Sequence, residues 1–382
     1  MLPMNPTSRT LPKRSTKPYL LLTLTALSGE FPAGQADRLG SPTYFESVVK
    51  SLKKAGLLRT YYKNGHRGYR LTLKAKELLL ADQPARFSFF LTGSSETNHP
   101  KSEVTRRLRL HRIAESIVTM IGADVAIFRD EKPHVFFPEG ASAPQALDMP
   151  APAFYTSREI KEVGTELAQI RGARAVGVLL TTDRIFLTYN TGGAAEMKWE
   201  NKSEMRAKAL MKTILCQHRL PSQYGPDAVQ ALLMGRDMEI VKQILMGQRT
   251  GNHNYFIFDG NYDHFYYIPN NHAGEIMLKL LCSEALSAEL DGILRQNLMP
   301  RQAGGVIEND ATDAQGDPVL FAYLLDLPRI LRFDRALELQ DRQGTVICFD
   351  FQAEVLRQFC CKNISFEVIN LQKYERGILH QA

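Results

Sequence analysis

The chain has 382 residues, 44% of them hydrophobic and 23% charged, and a net charge of +6. That is the composition of an ordinary globular protein with chain enough for two or three domains, whose core is large enough to need no disulfides. Five cysteines, an odd number without C-x-x-C spacing, argue against a disulfide framework or a zinc ribbon, and a reducing cytoplasm is the expected compartment.

The charge is unevenly spread. Residues 1–112 hold 20 Lys+Arg against 7 Asp+Glu, a net +13, so the remainder is acidic, at −7. A basic segment on an acidic body points to an electrostatic partner engaged at one end, and nucleic acid is the commonest such partner.

Residues 1–17, rich in Pro, Ser, Thr and Arg, read as a basic disordered arm. The basic residues Lys13, Arg14 and Lys17 before an apolar run outline a secretory leader. The run is short and broken by threonines, however, and Leu20, Leu24 and Leu27 keep helical spacing, so a buried helix over 19–27 is expected. Gly29 and Pro32 end it. A short helix over 33–39 follows, and Gly40 turns the chain. Ser41 caps a third helix with Pro42 at its first position. Phe45, Val48, Val49 and Leu52 form its buried stripe, and Gly56 closes it.

The next run, "LLRTYYKNGHRGYRLTL", predicts two strands, 58–62 and 69–73, around an Asn64-Gly65 turn, with Gly68 as a further site for positive φ. A fourth helix is expected over 74–80. Three helices, a basic hairpin and a closing helix in this order predict a winged helix-turn-helix over residues 18–86. Its third helix would enter the major groove of double-stranded DNA and its hairpin would act as the wing. The candidate DNA-binding residues are Thr43, Glu46, Ser47, Lys50, Lys53 and Lys54 on the helix, and Lys63, His66, Arg67 and Arg70 at the hairpin tip.

A linker is expected over 87–103. The helix predicted over 104–121 opens with Arg106, Arg107, Arg109, His111 and Arg112, which read either as a second phosphate contact or as a solvated face. An α/β domain over 104–220, with a degenerate nuclease-like fold without catalysis as an alternative, would hold strands at 123–128 and 134–137, a Pro/Ala loop at 141–152, a hairpin built from 173–180 and 184–190, and a helix at 202–215. A C-terminal α/β region over 221–382 would begin with helices at 226–247 and a strand at 255–258. It would continue with a helix from Ala273 and a loop around 304–318, and close with strand–helix–strand at 345–350, 352–359 and 365–369. The expected fold class is thus α/β: a winged helix followed by one or two mixed α/β domains.

One constellation suggests catalysis. Asp148 with Glu159-Ile160-Lys161 resembles the metal site of restriction-like nucleases, which would require Glu159 and Lys161 to share one face of a strand. The local pattern favours a helix instead: Ile160, Val163, Leu167 and Ile170 fall at helical spacing, and Thr156 to Glu159 fits a capping box. His253, Asp259, Asp263, His264 and His272 lack a recognised metal spacing, and no nucleotide-binding loop is visible, so neither metal nor cofactor is expected.

"GYRLTLKAKELLL" resembles the wing-to-helix junction of winged-helix replication-relaxation proteins. "FYTSREIK", "ARAVGVLLTTDRIFLTYNTG" and "MKWENKSEMRAKAL" are similar to the middle region of related proteins from plasmids and integrative conjugative elements. The resemblance covers roughly residues 18–215. It implies a DNA-binding role in replication, conjugative transfer or transcriptional control of a mobile element. The alternatives are a metal-dependent nuclease using Asp148, Glu159 and Lys161, and a scaffold that recruits a relaxase or replication initiator. Partners beyond DNA would be such relaxase or replication proteins and a second copy of the chain, with no membrane involved.

Overall fold

The computed structural model describes residues 10–138, 152–163, 174–193, 201–250, 262–301 and 306–379. Among the described residues the fold is mixed α/β with three small sheets. The chain divides into two compact units, Met1–Ile121 with Ala126–His134, and Gly122–Val125 with Val135–Ala382.

In the first unit, α1 (Lys17–Ser28) is buried almost all round. Its polar residues tolerate this because the Thr23, Thr25 and Ser28 hydroxyls donate to carbonyls four residues back. Gly29, at φ 80°, ends the helix, and a Cβ there would meet the Thr97 backbone at 2.8 Å. Short strand β1 (Phe31–Pro32) follows. The short helix expected over 33–39 is instead two separate 3₁₀ turns. Helix α2 (Pro42–Lys54) buries Phe45, Val48, Val49 and Leu52 and is capped by Ser41, as its sequence dictates. It ends at Gly56 (φ 69°) with paired bonds, Leu57 N–H to the Leu52 carbonyl and Gly56 N–H to that of Lys53.

Strands β2 (Leu58–Lys63) and β3 (His66–Leu71) pair from Leu58↔Leu71 to Lys63↔His66, which leaves a two-residue loop. Asn64 (φ 49°) and Gly65 (φ 77°) supply the two left-handed positions such a loop requires. β1 adds to the other side of β3, giving the antiparallel order β1-β3-β2. Helices α3 (Leu73–Asp82), α4 (Pro84–Leu91) and α5 (Val104–Gly122) complete the unit. The expected linker at 87–103 is therefore partly wrong: its first residues are helical, and Phe87, Phe90 and Leu91 are core.

The second unit holds two five-stranded sheets. In the first, β4 (Ala153–Thr156), β5 (Gly177–Leu180) and β6 (Ile185–Asn190) form an antiparallel meander. The short helix α6 (Ser157–Ile160) follows β4. From β6 the chain runs through α7 (Asn201–Met211), which continues to Arg219 as a wider π-type coil. It then enters β7 (Val229–Gly235), α8 (Glu239–Thr250) and β8 (Phe265–Pro269), with β6, β7 and β8 parallel. After α9 (His272–Cys282) and α10 (Glu284–Leu294) the same plan recurs. Strands β9 (Met299–Pro300), β10 (Ala311–Thr312) and β11 (Pro318–Phe321) are antiparallel. Then α11 (Leu327–Gln340), β12 (Gly344–Phe349), α12 (Asp350–Phe359) and β13 (Ile364–Ile369) add two parallel strands, and α13 (Leu371–Tyr374) follows.

Several expectations change here. Residues 123–128 and 134–137 form no strand. The helices expected over 226–247 are a strand followed by a helix, β7 and α8. Nor does a boundary at 220 separate two domains, because β6 and β7 pair across it. The 173–180/184–190 hairpin, the 202–215 helix and the closing strand–helix–strand are present with shifted ends. The strand expected at 255–258 and most of the 141–152 loop lie outside the described residues.

Candidate nucleic-acid interface

The residues expected to contact DNA sit on α2 and the β2–β3 hairpin. On α2, Thr43, Glu46, Ser47, Lys50, Lys53 and Lys54 are all exposed, opposite the buried stripe. The Ser47 hydroxyl donates to the Tyr44 carbonyl at 2.6 Å, which leaves its lone pairs outward. Lys50, Lys53 and Lys54 have no carboxylate partner among the described residues.

Strand alternation assigns the hairpin side chains to two faces. Leu58, Thr60, Tyr69 and Leu71 share the face turned to α2, where the Phe45 and Tyr69 rings stand 6.5 Å apart. Tyr62 and Arg67, paired across the ladder, continue that face toward the tip, and Tyr62 is 69% exposed. The Arg67 guanidinium lies 6.0 Å from the Tyr69 ring. Lys63 and His66 belong to the opposite face, with Lys63 exposed and His66 half-buried. Exposed Tyr62 and Tyr44 were missed in the sequence; the alternation that places Tyr62 opposite Arg67 was the available signal for the first.

Arg70 requires a correction. It lies at the base of the hairpin, is only 4% exposed, and cannot reach DNA from there. Its Nε donates to Glu30 at 2.6 Å, and its terminal nitrogens donate to the carbonyls of Pro100 and Lys101. Glu30 is fully buried and is also gripped by two residues of α5: Arg107 donates to it at 2.6 and 3.0 Å, and His111 Nε2 lies 2.8 Å away. Burial by itself would raise the Glu30 pKa. Hydrogen bonds from His111, Arg107 and Arg70 overcome that and hold it down to about 2.

Arg107, fully buried, also donates to the carbonyls of Lys63 and His66 at 3.0 Å each, the two residues that flank the turn. Of the basic residues that open α5, Arg107 and His111 thus bolt the hairpin down from within rather than facing a phosphate. Gly68 departs from expectation too. It has no positive φ, but a Cβ there would run into the Glu30 carboxylate.

No protein-family model, curated protein or solved structure matches this chain.

In the second unit, Asp148 lies outside the described residues. Glu159 is buried in the first turn of α6, and its Oε2 accepts from the Thr156 N–H at 2.8 Å and from the Thr156 hydroxyl at 3.0 Å. The capping geometry read from the sequence is therefore present. Lys161 begins the next 3₁₀ turn, so the two residues do not share a strand face. Of the histidine-rich run, His253 and Asp259 are outside the described residues. His264 Nδ1 pairs with Asp326 at 2.6 Å, and His272 with Glu375 at 2.8 Å. Among the described residues no three His, Cys, Asp or Glu side chains are placed to share a metal ion, and no helix is long and apolar enough to cross a membrane.

Proposed function

We propose that the first unit is a winged helix-turn-helix and that the protein binds double-stranded DNA through it. Helix α2 would lie in the major groove and the β2–β3 hairpin would serve as the wing. The observation that carries this reading is how the unit distributes its cations. Arg14, Arg70, Arg86, Arg106, Arg107 and Arg109 are all committed to carboxylates. Of the cations without a carboxylate partner among the described residues, Lys50, Lys53, Lys54, Lys63 and Arg67 gather on α2 and the hairpin tip, while Arg59, Lys76 and Lys101 line a separate hollow. Unpaired cations repel one another and cost stability unless a polyanion neutralises them. A role in replication, conjugative transfer or transcriptional control of a mobile element follows from the family resemblance of the segments quoted above, and a relaxase or replication protein is the partner that role would bring. No cofactor enters this reading, and neither does catalysis: the Glu159 carboxylate is engaged in a helix cap.

The test is fluorescence anisotropy of the full chain with duplex DNA at several salt concentrations. Neutralising about five phosphates should give a slope of log K against log salt near −4.5. A flat salt dependence would overturn the reading.

A further inference from the structure

On the face of the hairpin turned away from α2, strands β2 and β3, helix α3, residues 97–103 and the end of α1 at Thr25 and Gly29 border an open hollow of about 610 Å³. Four cationic side chains line it: Arg70, already paired with Glu30, and Arg59, Lys76 and Lys101, of which Arg59 and Lys101 are exposed to solvent. Arg59 enters from β2, Lys76 from α3 and Lys101 from the segment that follows α4. The carboxylate in the lining, Glu103, is paired with Arg106 at 2.9 Å. Arg59 and Lys101 have no side-chain partner among the described residues. The Lys76 ammonium is held by the backbone carbonyl and side-chain oxygen of Asn98, so its partners are neutral. Burial, and then the charge of Arg59, push its pKa down.

Arg59, Lys76 and Lys101 thus line one half-open hollow without a carboxylate partner, and a bound anion would relieve their mutual repulsion. Arg59 lies opposite Arg70 in the ladder, on the face of the hairpin that alternation turns away from α2. The volume of the hollow falls in the range of small-ligand sites and exceeds what inorganic phosphate would fill. We propose that this cavity binds a phosphate monoester of about mononucleotide size, with Arg59, Lys76 and Lys101 on the phosphate. The inference is independent of the DNA-binding reading, since it needs neither α2 nor the hairpin tip.

The experiment is isothermal titration of the full chain with inorganic phosphate, nucleoside monophosphates and ribose 5-phosphate, and separately with duplex DNA. At least one ester should bind more tightly than inorganic phosphate. Arg59→Ala and Lys101→Ala should each weaken it at least tenfold without lowering the unfolding temperature, since neither removes a native side-chain bond. Lys50→Ala, on the α2 face, should leave ester affinity unchanged. Absence of ester binding at millimolar concentration overturns the proposal, and so does unchanged affinity in the Arg59→Ala/Lys101→Ala double variant. If Arg59→Ala weakens only duplex DNA and no ester binds, the cavity is a backbone-phosphate contact and the small-ligand proposal is wrong. Loss of DNA binding with ester binding retained would remove the DNA reading and leave this one standing.

Discussion

Glu30 shows how one side chain can govern a surface it never touches. It is an isolated acidic residue in the basic N-terminal segment, and nothing adjacent in sequence marks it. Its partners Arg70 and Arg107 lie 40 and 77 residues away, which is why Arg70 reads from sequence as one more basic residue of the wing. Removing the carboxylate would leave two buried guanidiniums uncompensated, and breaking such a group costs about 3–5 kcal/mol. Glu30→Gln should therefore lower the stability of the first unit by about that much in urea denaturation. The pH dependence follows from the direction of the shift. A carboxyl held down to about 2, against 4.5 ordinarily, contributes stability that is complete above about pH 4.5 and is lost as pH falls toward 2. That acid-labile component should be absent in Glu30→Gln, as measured by denaturation midpoints across this range. Glu159→Gln should do far less. Glutamine also serves at the third position of a capping box, so any DNA-linked activity should survive, and selective loss of Mg²⁺-dependent cleavage in this variant would instead favour the nuclease reading.

At the scale of elements, legibility followed how local the determinants were. α2 was readable because its cap, proline, apolar stripe and terminal glycine all lie within one short stretch, and the hairpin because Asn64-Gly65 admits few other conformations. β7 was misread as helix because it is a nearly continuous apolar strand buried in a sheet; without alternation, its periodicity carries no signal. The geometry also separates the expected roles of helix and hairpin. Lys50 and Thr43 occupy one exposed face of α2, whereas Arg67 and Tyr62 project from a ribbon whose turn is held by Arg107. Lys50→Ala should cost about 1–3 kcal/mol on a preferred site and much less on random DNA. Arg67→Ala should weaken both alike and make the salt slope shallower by about one unit. Titrating both variants against specific and scrambled duplexes decides the matter. Loss of discrimination in Arg67→Ala alone would make the hairpin the reader.

At the scale of the whole molecule, the second unit uses one plan twice: three antiparallel strands, then two parallel strands reached through helices. This repetition is not legible from the residues alone, because strand order depends on pairing between distant segments, and the apolar residues that fill the two sheets need match only in kind. The same distance effect misplaced the end of the first unit. A boundary at 86 looks natural after the closing helix, yet it would strip away Phe87, Phe90 and Leu91 and would remove Arg107 and His111 from Glu30. Residues 1–86 would then expose apolar core and leave Arg70 as the sole strong partner of a carboxylate designed around three. A fragment of residues 1–134 retains all of these contacts together with the Arg86–Asp130 pair at 2.9 Å. It should unfold as a single cooperative transition in calorimetry and keep hairpin amides protected from exchange. Residues 1–86 should show no such transition, and cooperative unfolding of that shorter fragment would mean that α4 and α5 are additions to a unit already complete without them.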